Sequence, residues 1–340
     1  MELNDIKIIP LLDTLRLQKI SDEIYFSEKY KGYVSNSRLS LINPKQEGSP
    51  TKFFNGFKSG FSSAFELGSA VHELVLQENN FVLMEDCNKP TAKLGAMADT
   101  LFPIYQKNKN ITKEDVIAAS NKVEYYVDKI TDKRFIEVID KCTPYWKYRN
   151  DLNTSETRER IFLDPKSIEV VKSCVTALKE NREVMSLLHP SGITSDPISE
   201  NEQAILLDVK VVCPNGKEFI LRLKSKIDNY TIDLETNTIT VNDVKTIGKF
   251  VNEIDSNIDK FHYSRELGMY SYLLKLCAEK FYNMVNPNIE ANYLVVSTIP
   301  NYYSKVRPAT KKELNKGFKE FNLLLKYVGY CIGYEGYSLE

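Results

Sequence analysis

The clearest pattern along the chain is an alternation of apolar and polar residues in segment 218–246. A period of two is typical of β-strands with one buried face. The alternation is interrupted at Leu234-Glu235-Thr236-Asn237, where residues with turn chemistry cluster. The segment therefore predicts a β-hairpin whose two strands are joined by this four-residue loop.

The loop determines which residues of the two strands face each other. If these four residues form the turn, Asp233 pairs with Thr238, and counting outward places Asp228 opposite Asp243. Opposed residues have Cβ atoms about 5 Å apart, so the two carboxylates repel unless a cation lies between them. Lys245 shares the face of Asp243. The pattern predicts a metal-dependent phosphodiesterase site, although solvated charges on one hairpin face would look the same.

The neighbouring segments predict that the hairpin belongs to a larger sheet with helices around it. Segment 203–212 alternates like a strand, and Asn215-Gly216 is typical of a two-residue hairpin turn. That turn places Gln203 opposite Asp228 and Glu202 one residue away. Glu202 could therefore reach the predicted metal site only if the strand is bulged. A further strand is expected at 291–299, and helical periodicity is found in segments 1–32, 90–195, 261–281 and 310–329.

A helix predicted to begin near Ser62 carries the next candidate residue. Its residues Gly68, Ser69 and Ala70 are small, so another backbone can approach closely. His72 follows one turn after Gly68 and shares its side of the helix. A lone histidine on an amphipathic helix is usually structural, but the small residues beside it leave room for a ligand.

Composition limits the class of protein. The 340 residues are 42% hydrophobic and 27% charged, which is typical of a globular protein. The net charge of −1 gives no global attraction to nucleic acid, so a DNA partner would require a local basic surface. No stretch is long and apolar enough for a bilayer, and the charged start is unlike a secretory signal. We expect no membrane partner and a cytoplasmic location.

Four segments, 33–39, 68–74, 226–246 and 263–270, each carry a short motif. Each motif alone is weakly specific, but their order along the chain is informative. Together they resemble the PD-(D/E)XK nuclease superfamily, and within it the RecE/RecB-like exonucleases (exonuclease VIII type) of phage and bacteria. The resemblance covers about residues 33–300. It implies an α/β fold: a nuclease core with a central mixed β-sheet flanked by helices. A helical extension is expected over 1–32, and within the nuclease domain 33–340 a helical insertion at about 85–198.

The resemblance implies a role for each matching residue of the site. His72, Asp228 and Asp243 would hold Mg²⁺ or Mn²⁺ together with the backbone carbonyl of Val244. Lys245 would orient or activate the attacking water, so that Asp228, Asp243 and Lys245 form the catalytic set. Some relatives also carry a four-cysteine iron–sulfur cluster, but the six cysteines do not match that arrangement, and no cluster is expected.

The helix at 263–270 is expected to contact the substrate. Tyr270 matches the tyrosine of the family's Gln-x-x-x-Tyr motif, but Glu266 stands where the family has glutamine. A carboxylate beside a phosphate is unfavourable unless it is neutralised. Arg265 is adjacent to Glu266 but poorly directed for this, so a cation or a lysine such as Lys224 or Lys226 is expected to neutralise it.

The implied activity is Mg²⁺-dependent exonucleolytic hydrolysis of DNA in phage or bacterial recombination or repair. Ser37 and Arg265 are further candidate substrate contacts. DNA is the expected partner, with a single-strand annealing protein and further copies of the chain as additional candidates. Two alternatives stay open: a catalytically impaired nucleic-acid-binding protein on the same fold, and a structure-specific endonuclease.

Overall fold

A computed structural model describes residues 3–55, 63–125, 130–153, 157–192 and 196–339, without the side chains of residues 63 and 64. The chain divides into two compact units, Met1–Gln77 with Val171–Glu340 and Glu78–Val170. Eight strands lie in the described ranges: β1 (Lys7–Lys19), β2 (Phe81–Glu85), β3 (Glu159–Leu163), β4 (Ile198–Val212), β5 (Glu218–Asp233), β6 (Thr238–Ile247), β7 (Asn288–Ser297) and β8 (Ser304–Pro308).

The same ranges contain twelve α-helices, several of them in the segments where the sequence shows helical periodicity. They are α1 (Asp22–Tyr25), α2 (Asn36–Ser40), α3 (Pro50–Asn55), α4 (Ser63–Leu76), α5 (Ala92–Asn108), α6 (Lys113–Val123), α7 (Asp132–Leu152), α8 (Pro165–Glu180), α9 (Arg182–Leu188), α10 (Ile254–Lys260), α11 (Tyr263–Phe281) and α12 (Lys311–Tyr334). The predicted start of α4 at Ser62 lies outside the described residues.

The first unit is organised around a six-stranded sheet with the strand order β1-β4-β5-β6-β7-β8. Neighbouring strands are antiparallel except β6 and β7, which run parallel because the intervening chain, with α11, crosses from one strand to the next. Residues of α11 and α12 pack against the sheet in one hydrophobic core. The prediction of an α/β fold with a mixed sheet flanked by helices is confirmed.

The N-terminal segment differs from its prediction, because β1 is a strand and not a helix. It pairs with β4 along one edge of the sheet, where Pro10 is tolerated. Between Leu11 and Arg16 the pairing shifts, leaving three extra residues in β1. This bulge interrupts the alternation of two. The leucines at 11, 12, 15 and 17 therefore mimic a helical period, and the predicted helical extension over 1–32 was wrong in this segment.

The second unit is largely helical. The strands β2 and β3 pair in parallel, and α5, α6 and α7 lie between them in the sequence. Trp146 is buried among these helices and donates its indole N–H to the carbonyl of Ala98 at 2.8 Å. The wider insertion expected at 85–198 also includes α9, which belongs to the first unit. Among the described residues, no helix combines the length and apolar character needed to cross a bilayer.

Two glycines allow α11 and α12 to pack closely in the first unit. A Cβ atom on Gly317 would lie 1.7 Å from the carbonyl oxygen of Ser264, and one on Gly268 would lie 2.4 Å from the backbone nitrogen of Phe318. Backbone atoms cannot yield as a flexible side chain can. The two helices therefore depend on glycine where they touch.

We expect Gly317→Ala to lower the free energy of unfolding by about 3 kcal/mol, the usual scale of overpacking. Chemical denaturation followed by circular dichroism measures the change. Gly248→Ala is the matched control, because among the described residues, its chain neighbours aside, no atom lies within 4 Å of its added Cβ. Equal stability of the two variants would contradict the close contact between the helices.

Candidate metal centre

The site begins where the backbone pairing of β5 and β6 ends. The predicted pair of Asp233 with Thr238 is present, and the ladder runs from there to Asn229 and Asn242. Beyond this pair a side chain replaces the backbone partner, because Asp228 Oδ2 accepts a hydrogen bond from the N–H of Val244 at 2.8 Å. We call this end of the ladder the fork, and the carboxylate of Asp228 lies in it.

On the other side of β5, the strand β4 is distorted next to the fork. Asn201 pairs with Asn229 and Gln203 pairs with Ile227, but Glu202 between them has a left-handed backbone with φ of 57°. A glutamate rarely adopts this conformation without a tertiary reason. The distortion leaves Glu202 across from Asp228, with 2% of its surface exposed.

The two-residue turn predicted between β4 and β5 was wrong by one residue. The N–H of Cys213 donates to the carbonyl of Lys217, so that Pro214, Asn215 and Gly216 form a three-residue loop. One additional loop residue moves every pair along the ladder by one. Glu202, which the sequence placed one residue away, therefore comes opposite Asp228.

Helix α4 brings His72 between these two carboxylates. His72 Nε2 lies 2.8 Å from Asp228 Oδ2, and Nδ1 lies 3.2 Å from Glu202 Oε1. The expected close approach of this helix is present, since a Cβ atom on Gly68 would lie 2.9 Å from Thr246 Oγ1 of β6. The small residue is thus what lets the helix approach the strand that carries Asp243.

A second chain of contacts extends from Asp243 to α11. Lys245 Nζ lies 2.7 Å from Asp243 Oδ1 and 3.0 Å from Glu266 Oε2. Tyr270 donates its hydroxyl to Glu266 Oε1 at 3.0 Å. Glu266 and Tyr270 share one face of α11 as expected. The cation that neutralises Glu266 is Lys245 itself, which the sequence had assigned only to the chemistry.

The two lysines proposed for that task have other partners. Lys224 donates to the backbone carbonyl of Tyr25 at 2.7 Å, and its ammonium lies 4.3 Å from the centre of the same residue's ring. Lys226 lies 2.5 Å from Glu202 Oε2 and 2.6 Å from Asp22 Oδ1. Lys226 therefore neutralises Glu202.

Arg265 and Ser37 do not belong to this cluster of charges. Arg265 is fully buried and donates to Asn36, to Ser40 and to Gln46. These contacts attach α11 to the α2 region and remove Arg265 from the expected substrate contacts. The exposed Ser37 lies 3.0 Å from Ser35 Oγ, and Ser35 is the residue that caps α2.

Mutual contact shifts the ionisation of the groups around His72. Burial alone would lower the pKa of His72, but the charge of Asp228, its hydrogen bond and the charge of Glu202 together raise that pKa to about 10. Burial would raise the pKa of Asp228, and His72 outweighs it, so the pKa of Asp228 is lowered. His72 therefore carries a positive charge between two carboxylates.

The pKa values of Asp243 and Lys245 are both raised. Burial, with the charges of Glu266 and Asp228, holds the pKa of Asp243 well above its usual range, although Lys245 acts in the opposite direction. Burial disfavours the charged form of Lys245, but Asp243 and Glu266 outweigh it and raise the pKa of the ammonium. Lys245 remains a cation inside the site.

The residues of the fork fit a divalent cation. Ligand atoms of His72, Glu202 and Asp228 all lie within 4.8 Å of one another. Asp243 Oδ2 is buried and accepts no hydrogen bond from the part of the chain that is described. Carboxylates with an imidazole suit Mn²⁺, and carboxylates alone suit Mg²⁺. Glu202 thus joins His72 and Asp228, whereas Asp243, which lies outside this group of three, and the carbonyl of Val244 stay predicted ligands.

The likeness of the chain to known proteins is one of structure, at low sequence identity. No family model matches it, and no curated protein sequence matches it. One crystal structure, of a candidate exonuclease from Eubacterium rectale, aligns with 92% of this chain and 86% of its own at 11% identity and a TM-score of 0.47. A likeness at that level cannot support a function, so the geometry of the site has to do so.

The raised pKa of His72 predicts a pH dependence of stability in metal-free protein. Its folded pKa of about 10 exceeds the unfolded value of about 6.5, so its contribution is complete below about pH 6.5 and is lost as pH rises toward 10. His72→Gln should therefore show a flatter profile in that range. Denaturation in the presence of a chelator measures it.

His189→Gln, on an exposed histidine, is the control and should keep the wild-type profile. If His72→Gln and the wild type lose stability in parallel between pH 6.5 and pH 10, the ion pairs of His72 do not form in solution.

Proposed function

We propose that this protein hydrolyses phosphodiester bonds of DNA with a divalent cation, acting from DNA ends as an exonuclease. One observation carries the proposal: the buried carboxylates of Glu202, Asp228 and Asp243 lie beside the half-buried imidazole of His72 and ammonium of Lys245. Buried like charges are costly unless a cation or a reaction requires them. The motif order that resembles PD-(D/E)XK nucleases supports the same chemistry.

Each residue of the fork has a task in this proposal. His72, Glu202, Asp228 and Asp243 would hold the cation, which when bound lowers the pKa of a water molecule and offsets charge on the phosphate. Lys245 keeps its proton and is 15% exposed at its side chain, so it can donate to a phosphate oxygen or orient the attacking water.

The residues of α11 act behind Lys245. Glu266 holds the ammonium at 3.0 Å, and Tyr270 is nearly buried and donates to Glu266. Tyr270 therefore supports the substrate side of the site through Glu266. The glutamate that departs from the motif becomes a positioning group for the lysine, which a neutral glutamine would hold less firmly.

The biological setting is implied by the resemblance to RecE/RecB-like exonucleases of phage and bacteria. An exonuclease that degrades one strand of a duplex leaves a single strand that an annealing protein can pair with its complement. We therefore place the proposed activity in phage or bacterial recombination or repair. Assembly with further copies of the chain would keep such an enzyme on its substrate.

Digestion of end-labelled linear DNA and of covalently closed circular DNA tests the proposal directly. With Mg²⁺ or Mn²⁺ we expect linear DNA to be degraded to nucleotides while circles persist, and a chelator should stop the reaction. Cleavage of the circles would identify the endonuclease alternative. Absence of cleavage on both substrates, with either cation, would contradict a hydrolytic function.

Lys245→Met should reduce cleavage of linear DNA by about a hundredfold or more, because one electrostatic contact in the transition state is worth that much. Binding of Mn²⁺ should change little, since Lys245 is not a ligand. Lys249→Met, on an exposed lysine beyond the end of the same strand, should cleave like the wild type. Normal cleavage by Lys245→Met would exclude the assigned role.

One observation favours the second candidate, a DNA-binding protein without turnover. Glu266 pairs a negative charge with Lys245, and that charge reduces the attraction of the site for a phosphate. Glu266→Gln should retain or increase DNA affinity, because it removes that charge. An enzyme should keep measurable Mg²⁺-dependent cleavage in this variant, whereas a binding protein should show none with or without the substitution. A clear loss of DNA binding would mean that α11 does not face the substrate.

A further inference from the structure

Four asparagines form a row of hydrogen-bonded side chains across four neighbouring strands. Asn292 of β7 donates to Asn242 of β6 at 3.0 Å, and Asn242 donates to Asn229 of β5 at 2.7 Å. Asn229 in turn donates to Asn201 of β4 at 2.7 Å. All four amides point in the same direction along the row. We call these residues the asparagine row.

The asparagine row runs beside the proposed metal ligands. Asn201 precedes Glu202, Asn229 follows Asp228, and Asn242 precedes Asp243 in the sequence. The pair Asn229–Asn242 is also the last rung of the backbone ladder before the fork. Each carboxylate of the site is thus one peptide unit away from a member of the row.

The row ends on the helix that carries the fourth ligand. Asn201 donates to the backbone carbonyl of Leu76 at 2.9 Å, and Leu76 is the last residue of α4, one turn after His72. Asn242 also donates to the carbonyl of Leu187 in α9 at 3.3 Å. One chain of hydrogen bonds therefore connects β7, β6, β5 and β4 to α4.

Amides in this place need an explanation. Asn229 and Asn242 are fully buried in central strands, where valine or isoleucine is usual and an unpaired amide is costly. Hydrogen bonds aligned in one direction polarise one another, so the row is stronger than its separate bonds. A shift of one residue in either strand would turn its asparagine to the opposite face of the sheet and break the row.

We propose that the asparagine row is a positioning network that fixes His72, Glu202, Asp228 and Asp243 at the separation a divalent cation requires. This inference rests on the proposed function of the site. The asparagines do not touch the cation or the substrate. They hold the strands in register where the backbone ladder ends, and they attach α4 to that register.

Binding of Mn²⁺ alone, measured by isothermal titration calorimetry below the unfolding temperature of each variant, tests the network without reference to activity. Asn242→Leu keeps the branch of the side chain at Cγ and removes the central link. We expect it to weaken Mn²⁺ binding by about tenfold to a hundredfold, the usual effect of losing a group that orients metal ligands.

Asn201→Ala covers the case in which Asn242→Leu does not fold, because Asn201 is only half buried and lies at the end of the row. It should weaken Mn²⁺ binding in the same direction, since it releases α4. Val211→Ala is the control: it removes buried volume from β4 away from the fork, so it destabilises the same strand without touching the row. It should bind Mn²⁺ like the wild type.

The outcomes separate the two proposals. If the wild type binds Mn²⁺ and Asn242→Leu or Asn201→Ala binds it equally well, the positioning network is refuted and the metal site stands. An equal loss of affinity in Val211→Ala would show that the effect is general destabilisation, which also refutes the network. If the wild type binds no Mn²⁺, the proposed metal-dependent function is refuted, and so is the role of the asparagine row in positioning metal ligands.

Discussion

Mutual repulsion among buried carboxylates is the constraint on which the rest of the site depends. Glu202, Asp228 and Asp243 are each at most 8% exposed, and the charge of Asp228 raises the pKa of both Glu202 and Asp243. Burying such charges is costly unless positive groups and hydrogen bonds offset them. The cations of the site are therefore distributed among the carboxylates: His72 lies between Glu202 and Asp228, and Lys245 lies beside Asp243.

The same arrangement explains why the surrounding elements approach so closely. Helix α4 needs a small residue at Gly68 to bring its histidine to the sheet, and α11 presents Glu266 to the lysine of β6. Lys226 connects Glu202 of β4 to Asp22 at the N-terminal end of α1. Each of these ion pairs neutralises a charge and also holds one helix or strand against another. The interactions that offset the charges of the site are therefore also interactions that pack its elements together.

Two unfavourable features of the structure lie at the proposed site of catalysis. Glu202 keeps a left-handed backbone, and Asp243 keeps a buried oxygen that no described residue satisfies. Features of this kind persist only when the surrounding structure holds them in place. The asparagine row and the glycine contact between α11 and α12 supply that rigidity from outside the cluster of charges. A bound cation would relieve the repulsion that both of them resist.

Local patterns in the sequence determined the hairpin. The turn at 234–237 is short, so the pairing of Asp233 with Thr238 followed from residues a few positions apart. The mixed α/β class followed in the same way from periodicity. His72 was found because small residues precede it on one helix face. Each of these features depends on residues that are close to one another in the sequence.

Only the tertiary structure decided the remaining features, because they depend on contacts between distant segments. One extra loop residue at 214–216 places Glu202 opposite Asp228. A bulge in β1 gives its leucines a spacing that resembles the period of a helix. The partner of Glu266 was decided by how α11 lies on β6, and the burial of Arg265 by its contacts with the α2 region. A one-residue change in register alters which side chains meet while leaving composition and periodicity almost unchanged. Sequence patterns therefore predicted the elements and most of the candidate residues, and the packing of the chain chose their partners.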